Sequence, residues 1–164
     1  MKSNIDKLIK LGEDLEKKYD ERVARTLEDM KECYSDQKAV KKLNKKNPLI
    51  YLVFIKRTPN LTYGLTVIYP GVIGKEYYMT KGHIHKKPSP ETYLLIAGEG
   101  KLVLQSGKES KVVKLIKNDL VIVSKGYAHR VVNTSNKILR FLAIYDPDSG
   151  HDYSVSFKKR LLKK

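Results

Sequence analysis

The stretch Thr80-Lys-Gly-His83-Ile-His85-Lys-Lys-Pro-Ser-Pro-Glu91-Thr-Tyr93 carries the pattern that decides the fold and the site. Its two histidines are one residue apart, and in a β-strand this spacing directs both imidazoles to the same face. A turn with two prolines follows, and the next predicted strand begins with Glu91, whose side chain shares a face with that of Tyr93. Two imidazole nitrogens and one carboxylate can therefore meet at one metal ion.

A third imidazole is available downstream, in Tyr127-Ala-His129-Arg-Val-Val-Asn133. A single histidine on an apolar strand is usually a structural residue. The combination of His-x-His, a glutamate close behind it and a later Gly-x-x-His is more typical of a metal-ligand set. We therefore predict a facial site for one divalent ion, with His83, His85, Glu91 and His129 as its ligands.

The composition indicates a globular, intracellular protein. The 164 residues are enough for one domain with a substantial core, and the single cysteine, Cys33, excludes an internal disulfide and fits a reducing compartment. The N-terminus carries charged residues without the apolar segment of a signal peptide, and no apolar run is long enough to span a bilayer. We expect a cytoplasmic protein that does not contact the membrane.

The formal net charge of +15 is the one unusual value. It raises nucleic acid, an anionic membrane or an anionic substrate as partners. The lysines are spread along the chain and no recognition motif accompanies them, so nucleic acid and an anionic membrane are the less favoured partners. The 11 tyrosines outnumber the three phenylalanines, which suits a polar, sugar-sized pocket, although tyrosine is also a good strand residue.

The order of predicted elements indicates a mainly β protein. Residues 3–19 have helical spacing, with Ser3 and Asp6 as a capping box, residues 22–30 are ambiguous, and Ser35 is the expected N-cap of a short helix that Pro48 terminates. Alternating runs separated by turns then predict an antiparallel barrel. We expect a helical extension packed on the barrel (1–47), the barrel itself (48–157) and a basic tail (158–164). The predicted strands are 49–57, 61–69, 75–81, 91–97, 101–106, 111–116, 120–123, 128–133 and 138–145.

The barrel segment resembles the cupins. The first cupin motif corresponds to His83-x-His85 with Glu91 and Gly98, and the second to Asn118 through His129 to Asn133. Asn118 replaces a usual glycine and tolerates a left-handed backbone. The resemblance implies the cupin fold, a jelly-roll-like double-stranded β-barrel.

A more specific resemblance is to the archaeal-type, cupin-fold glucose-6-phosphate isomerases. It rests on Thr66-Val-Ile-Tyr-Pro-Gly71, Gly74-Lys-Glu-Tyr-Tyr-Met-Thr80-Lys-Gly-His83, Ala128-His-Arg-Val-Val-Asn133 and Phe141-Leu-Ala-Ile-Tyr145-Asp-Pro-Asp-Ser-Gly150-His151-Asp-Tyr153. It implies a homodimer that interconverts glucose 6-phosphate and fructose 6-phosphate. It also implies one divalent metal ion, with Fe(2+) expected first and manganese, nickel or zinc accepted.

The same resemblance assigns roles within the pocket. Thr66, Thr80 and Gly82 would anchor the phosphate. For Thr80 and His83 to face one pocket, a β-bulge is required near Gly82, since regular alternation would separate them. Residues that would line the sugar pocket are Tyr51, Tyr93, Tyr145, His151 and Tyr153, and those expected to act in catalysis are Glu91, His151 and Tyr93. Each tyrosine taken alone is equally compatible with core packing.

Two other classes of function fit the residues. A different cupin metalloenzyme, such as an oxygenase or another sugar-phosphate enzyme, would use the same ligands. A non-catalytic sugar-binding cupin would use the pocket, but it has no need for a complete set of three histidines and a glutamate.

Overall fold

The computed structural model describes residues 3–164. Met1 and Lys2, which belong to the predicted extension, lie outside the described residues. The helices are α1 (Asn4–Asp14), α2 (Leu27–Met30), a 3₁₀ turn (Lys31–Cys33) and α3 (Gln37–Asn44). The strands are β1 (Glu21–Thr26), β2 (Leu49–Arg57), β3 (Thr62–Ile68), β4 (Val72–Ile73), β5 (Glu76–Tyr77), β6 (Ile84–His85), β7 (Glu91–Ala97), β8 (Gly100–Ser106), β9 (Glu109–Lys114), β10 (Leu120–Val123), β11 (Ala128–Asn133), β12 (Leu139–Tyr145) and β13 (His151–Asp152).

The strands form two layers. The first is a six-stranded antiparallel sheet in the order β1-β2-β3-β12-β7-β10. The second contains β11-β8-β9, and the pair β13-β6 is joined to it by a bridge between His83 and His129. Apolar residues of both layers, such as Phe141 and Val131, form the main core between them. The mainly β architecture is confirmed.

Helix α1 covers the outer face of the six-stranded sheet. Ile5, Leu8 and Ile9 pack against a second apolar cluster built from alternate residues of β2, β3, β7 and β12. Ser3 and Asp6 form the predicted capping box, with backbone-to-side-chain distances of 2.9 and 3.1 Å. Gly12 allows close approach to the sheet, since a Cβ there would lie 2.5 Å from Ile96 Cδ1. Among residues 3–164, none of the helices is long and apolar enough to cross a membrane.

The N-terminal extension differs from the prediction in two respects. It is not purely helical, because β1 adds an edge strand to the sheet by pairing with β2 from Glu21↔Ile55 to Arg25↔Tyr51. The N-cap of α3 is Asp36 rather than Ser35, whose backbone nitrogen instead donates to the buried Glu76 carboxylate at 2.8 Å.

The C-terminal segment is docked on the domain. Arg160 donates to Glu76 at 2.7 Å and to the carbonyl oxygen of Cys33 at 2.9 Å. The backbone nitrogen of Lys163 donates to the carbonyl oxygen of Lys75 at 2.8 Å. The predicted basic tail, 158–164, therefore packs against the turn before β5.

Candidate active site

Four side chains from three strands and one connecting segment converge on one point. The Nε2 atoms of His129, His85 and His83 lie 2.8, 3.2 and 3.7 Å from Oε2 of Glu91. The four candidate ligand atoms all lie within 4.8 Å of one another. The structure thus brings together the four residues that the sequence predicts as metal ligands.

The hydrogen bonds of two rings fix which nitrogen carries the hydrogen. Nδ1 of His85 lies 2.9 Å from the carbonyl oxygen of Ser89, and Nδ1 of His129 lies 3.0 Å from that of Tyr127. A carbonyl oxygen can only accept, so the hydrogen of each neutral ring is assigned to Nδ1 and a lone pair remains on Nε2. These lone pairs face the carboxylate of Glu91, which is also an acceptor. A cation between them would resolve this repulsion.

The remaining polar atoms of the site are also consistent with a bound cation. Nε2 of His83 and Nε2 of His85 are buried and have no hydrogen-bond partner among residues 3–164. Glu91 is 3% exposed, so its carboxylate is buried among the three imidazoles. A buried carboxylate facing three imidazole nitrogens is a donor set suited to a divalent transition metal.

This ligand set lies at the wall of a cavity of about 270 Å³ between the two layers. The cavity is lined by most of the predicted site residues: Tyr51, Thr66, Thr80, Gly82, His83, Glu91, Tyr93, His129, Tyr145, His151 and Tyr153. His85 is the predicted residue that does not line it. The cavity can hold a sugar-sized ligand beside the cluster.

The predicted β-bulge is present. Met79 pairs with Val132 and His83 with His129, so residues 80, 81 and 82 lie opposite residues 130 and 131. Gly82, with φ at +77°, takes up the extra residue. As a result Thr80 and His83 line the same cavity.

His151 stacks on the ligand cluster. Its ring centroid lies 3.9 Å from that of His83, and β13 holds it there by pairing His151 with His85. Burial, together with His83, lowers the pKa of His151 to about 4, so the ring is neutral at pH 7. Its Nδ1 lies 3.1 Å from the hydroxyl of Tyr153, while its Nε2 is buried without a partner among the described residues.

The tyrosines of the cavity retain their hydroxyl hydrogens. Burial raises the pKa of Tyr51 and of Tyr145 to about 12. Burial and the neighbouring Glu91 carboxylate raise the pKa of Tyr93 well above its usual value. These phenols are therefore hydrogen-bond donors at neutral pH.

Sequence reasoning missed the contribution of the N-terminal extension. Glu21, Val23 and Arg25 of β1 and Arg57 of β2 also line the cavity. Glu21 and Arg57 form an ion pair with each other, whereas Arg25 has no carboxylate within 4.0 Å among residues 3–164. The alternation of Glu21, Val23 and Arg25 on one face is visible in the sequence once a strand is assumed there.

Comparison with known sequences identifies the family. The sequence model of the glucose-6-phosphate isomerase (GPI) family matches residues 24–162. The chain is 38% identical over 148 residues to glucose-6-phosphate isomerase of Thermococcus kodakarensis, covering 87% of this chain and 78% of that protein. It is 38% identical over 141 residues to the enzyme of the same name from Pyrococcus abyssi, covering 82% and 75%.

Solved structures identify the fold. Oxalate decarboxylase of Bacillus subtilis superposes with a TM-score of 0.52 at 20% identity, covering 60% of this chain and 26% of that longer one. The Lactobacillus farciminis oxalate decarboxylase gives 0.51 at 18% identity, with 62% and 30% covered. These likenesses confirm the cupin barrel. The chain belongs to the glucose-6-phosphate isomerase family and is a sugar-phosphate isomerase of the cupin fold.

Proposed function

We propose that the cavity interconverts glucose 6-phosphate and fructose 6-phosphate with one divalent metal ion held by His83, His85, Glu91 and His129. The observation that carries this proposal is the convergence of three imidazole nitrogens on one buried carboxylate at the wall of a sugar-sized cavity. When bound, the metal would act as a Lewis acid that polarises the oxygens on C1 and C2 of the sugar.

The phosphate is assigned to the part of the cavity lined by Thr66, Thr80 and Gly82. Two hydroxyls and a glycine backbone can surround an anion closely. The hydroxyl oxygen of Thr80 already accepts a hydrogen bond from the backbone nitrogen of Val131 at 3.1 Å, which leaves its own hydrogen free to donate. A phosphate bound there would place the reacting end of the sugar toward the metal ligands.

The isomerisation moves hydrogen between C1 and C2. Glu91 is proposed to shuttle the proton through a cis-enediol, since it is the acidic residue beside the expected position of these carbons. Tyr93, whose phenol stays protonated, would donate to a substrate oxygen during the transfer. The neutral ring of His151, with its unpartnered Nε2, is suited to contact the ring oxygen or a sugar hydroxyl. Tyr51, Tyr145 and Tyr153 would bind the remaining hydroxyls.

The native metal, the oligomeric state and the cellular compartment are proposed from the family resemblance. Fe(2+) is proposed as the native ion, with manganese, nickel or zinc able to replace it, because imidazole and carboxylate ligands suit several of these metals. A homodimer is proposed, and the edge strand β10 exposes Leu120 and Ile122, the latter to 66%, on a surface that a second copy could cover. The cytoplasm is the proposed compartment. Light scattering on the purified protein in solution would determine the oligomeric state.

A direct test is the conversion of fructose 6-phosphate to glucose 6-phosphate, followed by proton NMR under strictly anaerobic conditions. Turnover without oxygen supports the isomerase. An absolute requirement for oxygen would instead indicate an oxygenase, and saturable sugar binding without turnover would indicate a binding protein.

A further inference from the structure

The loop from Thr80 to Gly82 has an unusual arrangement of backbone groups. Its Lys81 carbonyl oxygen accepts a hydrogen bond from Nη2 of Arg130 at 2.7 Å. In a trans peptide the C=O and the following N–H point in opposite directions, so the N–H of Gly82 points away from Arg130. Gly82 is buried and lines the cavity, and its N–H has no hydrogen-bond partner among residues 3–164. An unpaired N–H in a cavity can donate to an acceptor bound there, including an anion.

The preceding N–H contributes to the same arrangement. The backbone nitrogen of Lys81 lies 3.4 Å from the hydroxyl oxygen of Tyr51, which also lines the cavity. The Lys81 N–H and the hydroxyl of Thr80 therefore lie beside the same cavity that Gly82 lines.

Arg130 is a buried cation that forms no direct ion pair among residues 3–164. The residue is 5% exposed, its Nε has no hydrogen-bond partner, and it forms no ion pair within 4.0 Å among residues 3–164. Burying an unpaired charge is costly, and an anion on the far side of the Lys81–Gly82 peptide would offset that cost. The guanidinium lies behind the loop and does not line the cavity, so it would not touch that anion.

Phe157 holds this guanidinium in place. The guanidinium carbon lies 4.3 Å from the centroid of the Phe157 ring, within the range of a cation–π contact. A Cβ added to Gly82 would lie 2.6 Å from Cε2 of Phe157 and 3.0 Å from Cβ of Arg130. The three residues are therefore packed in direct contact, and glycine is required both by this contact and by its φ of +77°.

We propose that Arg130, held by Phe157, is the positioning residue of the phosphate subsite. It orients the Lys81–Gly82 peptide so that the Gly82 N–H donates to the substrate phosphate, and it supplies positive charge from behind the loop. This inference rests on the proposed function for the identity of the anion. It also gives the segment before the C-terminus a role in substrate affinity, because Phe157 lies beyond the last strand.

The test compares Arg130→Met and Arg130→Lys with Arg140→Met. Arg140 is a matched control because it pairs with Glu16 at 3.4 Å, on α1's side of the sheet, and does not line the cavity. For Arg130→Met, the KM for fructose 6-phosphate and the inhibition constant of inorganic phosphate should both rise about tenfold or more, as expected for losing a charge-assisted hydrogen bond. Bound metal should be unchanged, and Arg140→Met should behave as wild type.

Arg130→Lys separates charge from orientation. Lysine keeps the charge but cannot reproduce the planar, stacked guanidinium, so the phosphate inhibition constant should take a value between those of wild type and Arg130→Met. A merely structural role of Arg130 would lower stability or metal content without a selective change in phosphate affinity. A folded Arg130→Met protein with wild-type KM and wild-type phosphate inhibition would overturn the proposal.

Phe157→Leu keeps the proposal testable if Arg130→Met fails to fold. Leucine preserves apolar packing but removes the aromatic face, so the KM and the phosphate inhibition constant should rise together while kcat and bound metal stay near wild type. Direct titration of wild type and each variant with inorganic phosphate by calorimetry does not depend on turnover. If the wild type does not turn over fructose 6-phosphate but Arg130→Met binds phosphate more weakly than the wild type, the positioning role is supported and the isomerase is refuted. If the wild type is active and Arg130→Met binds phosphate as the wild type does, the isomerase is supported and the positioning role is refuted.

Discussion

Nε2 of His129 lies 2.8 Å from Oε2 of Glu91, although the ring hydrogen of His129 is held on Nδ1 by the carbonyl oxygen of Tyr127 at 3.0 Å. The backbone just before β11 therefore turns a lone pair of His129 toward the carboxylate of Glu91 on β7. His85 repeats the arrangement through Ser89. Two backbone carbonyls thus aim two imidazoles at one cation position, as the outer-shell contacts of metal-binding histidines commonly do.

Replacing Thr80 with valine should weaken phosphate binding. The variant loses a hydroxyl donor, so the KM for fructose 6-phosphate should rise about tenfold or more, with bound metal unchanged. It should also lose about 1 kcal/mol or more of unfolding free energy, because the backbone nitrogen of Val131 is left without its acceptor. Steady-state kinetics and urea unfolding measure the two effects. Thr80→Ser is the matched control, and an unchanged KM in Thr80→Val would move the phosphate elsewhere.

Arg25 should contribute to binding of the anionic substrate. It lines the cavity without a carboxylate partner, so Arg25→Met should raise the KM for fructose 6-phosphate several-fold while kcat changes less. Arg22 is on the opposite face of the same strand and does not line the cavity, so Arg22→Met removes the same charge as a control. Equal effects of the two substitutions would mean that only the net charge of the protein matters.

The sequence pattern predicts four strands with their observed bounds but misses others, among them the short strands β6 and β13, which carry His85 and His151. Strands β2, β7, β10 and β11 have the predicted bounds, because their apolar runs are separated by strong turn residues. The strand β1 was ambiguous, since Glu-Arg-Val-Ala-Arg-Thr has polar residues on both faces. Its formation depends on pairing with β2, a contact distant in sequence that local periodicity does not record.

The site residues also divide into those whose placement the sequence predicts and those whose placement it does not. His-x-His spacing and inward alternation predict that His83, His85, Glu91 and His129 meet. The position of Thr80 required a bulge, which follows from geometry once Thr80 and His83 are assigned to one cavity. The proposed role of Arg130 could not be predicted, because the contact of Phe157 with Gly82 and Arg130 joins segments that are 75 residues apart in the chain.

Stability should decrease at alkaline pH through Tyr51. Burial raises its pKa from 10.0 to about 12, so between these values the unfolded chain has lost a proton that the folded chain keeps. The unfolding free energy contributed by this burial is complete below the unfolded pKa and is lost as pH rises toward the folded pKa. Urea unfolding at about pH 9 and about pH 11 should show a smaller decline for Tyr51→Phe than for wild type. An identical decline in both proteins would contradict the assignment.

Glu91→Gln tests the proton route. An amide oxygen can still ligate a metal, so the variant should retain bound metal but lose most of kcat. Wild-type turnover in deuterated water should place deuterium at the position that receives the transferred hydrogen, as NMR of the product would show. An active Glu91→Gln variant together with product free of solvent deuterium would favour direct hydride transfer and leave Glu91 as a ligand alone.

Isomerisation is expected to require one metal ion at the cluster of three histidines and Glu91. The most direct measurement is a titration of chelator-stripped protein with Fe(2+) under anaerobic conditions, recording bound metal and fructose 6-phosphate turnover in the same samples. Turnover should start from background and reach its maximum at one ion per chain, and His129→Ala should neither bind the ion nor recover activity. Full turnover by the metal-free protein, or full metal occupancy in His129→Ala, would contradict the account.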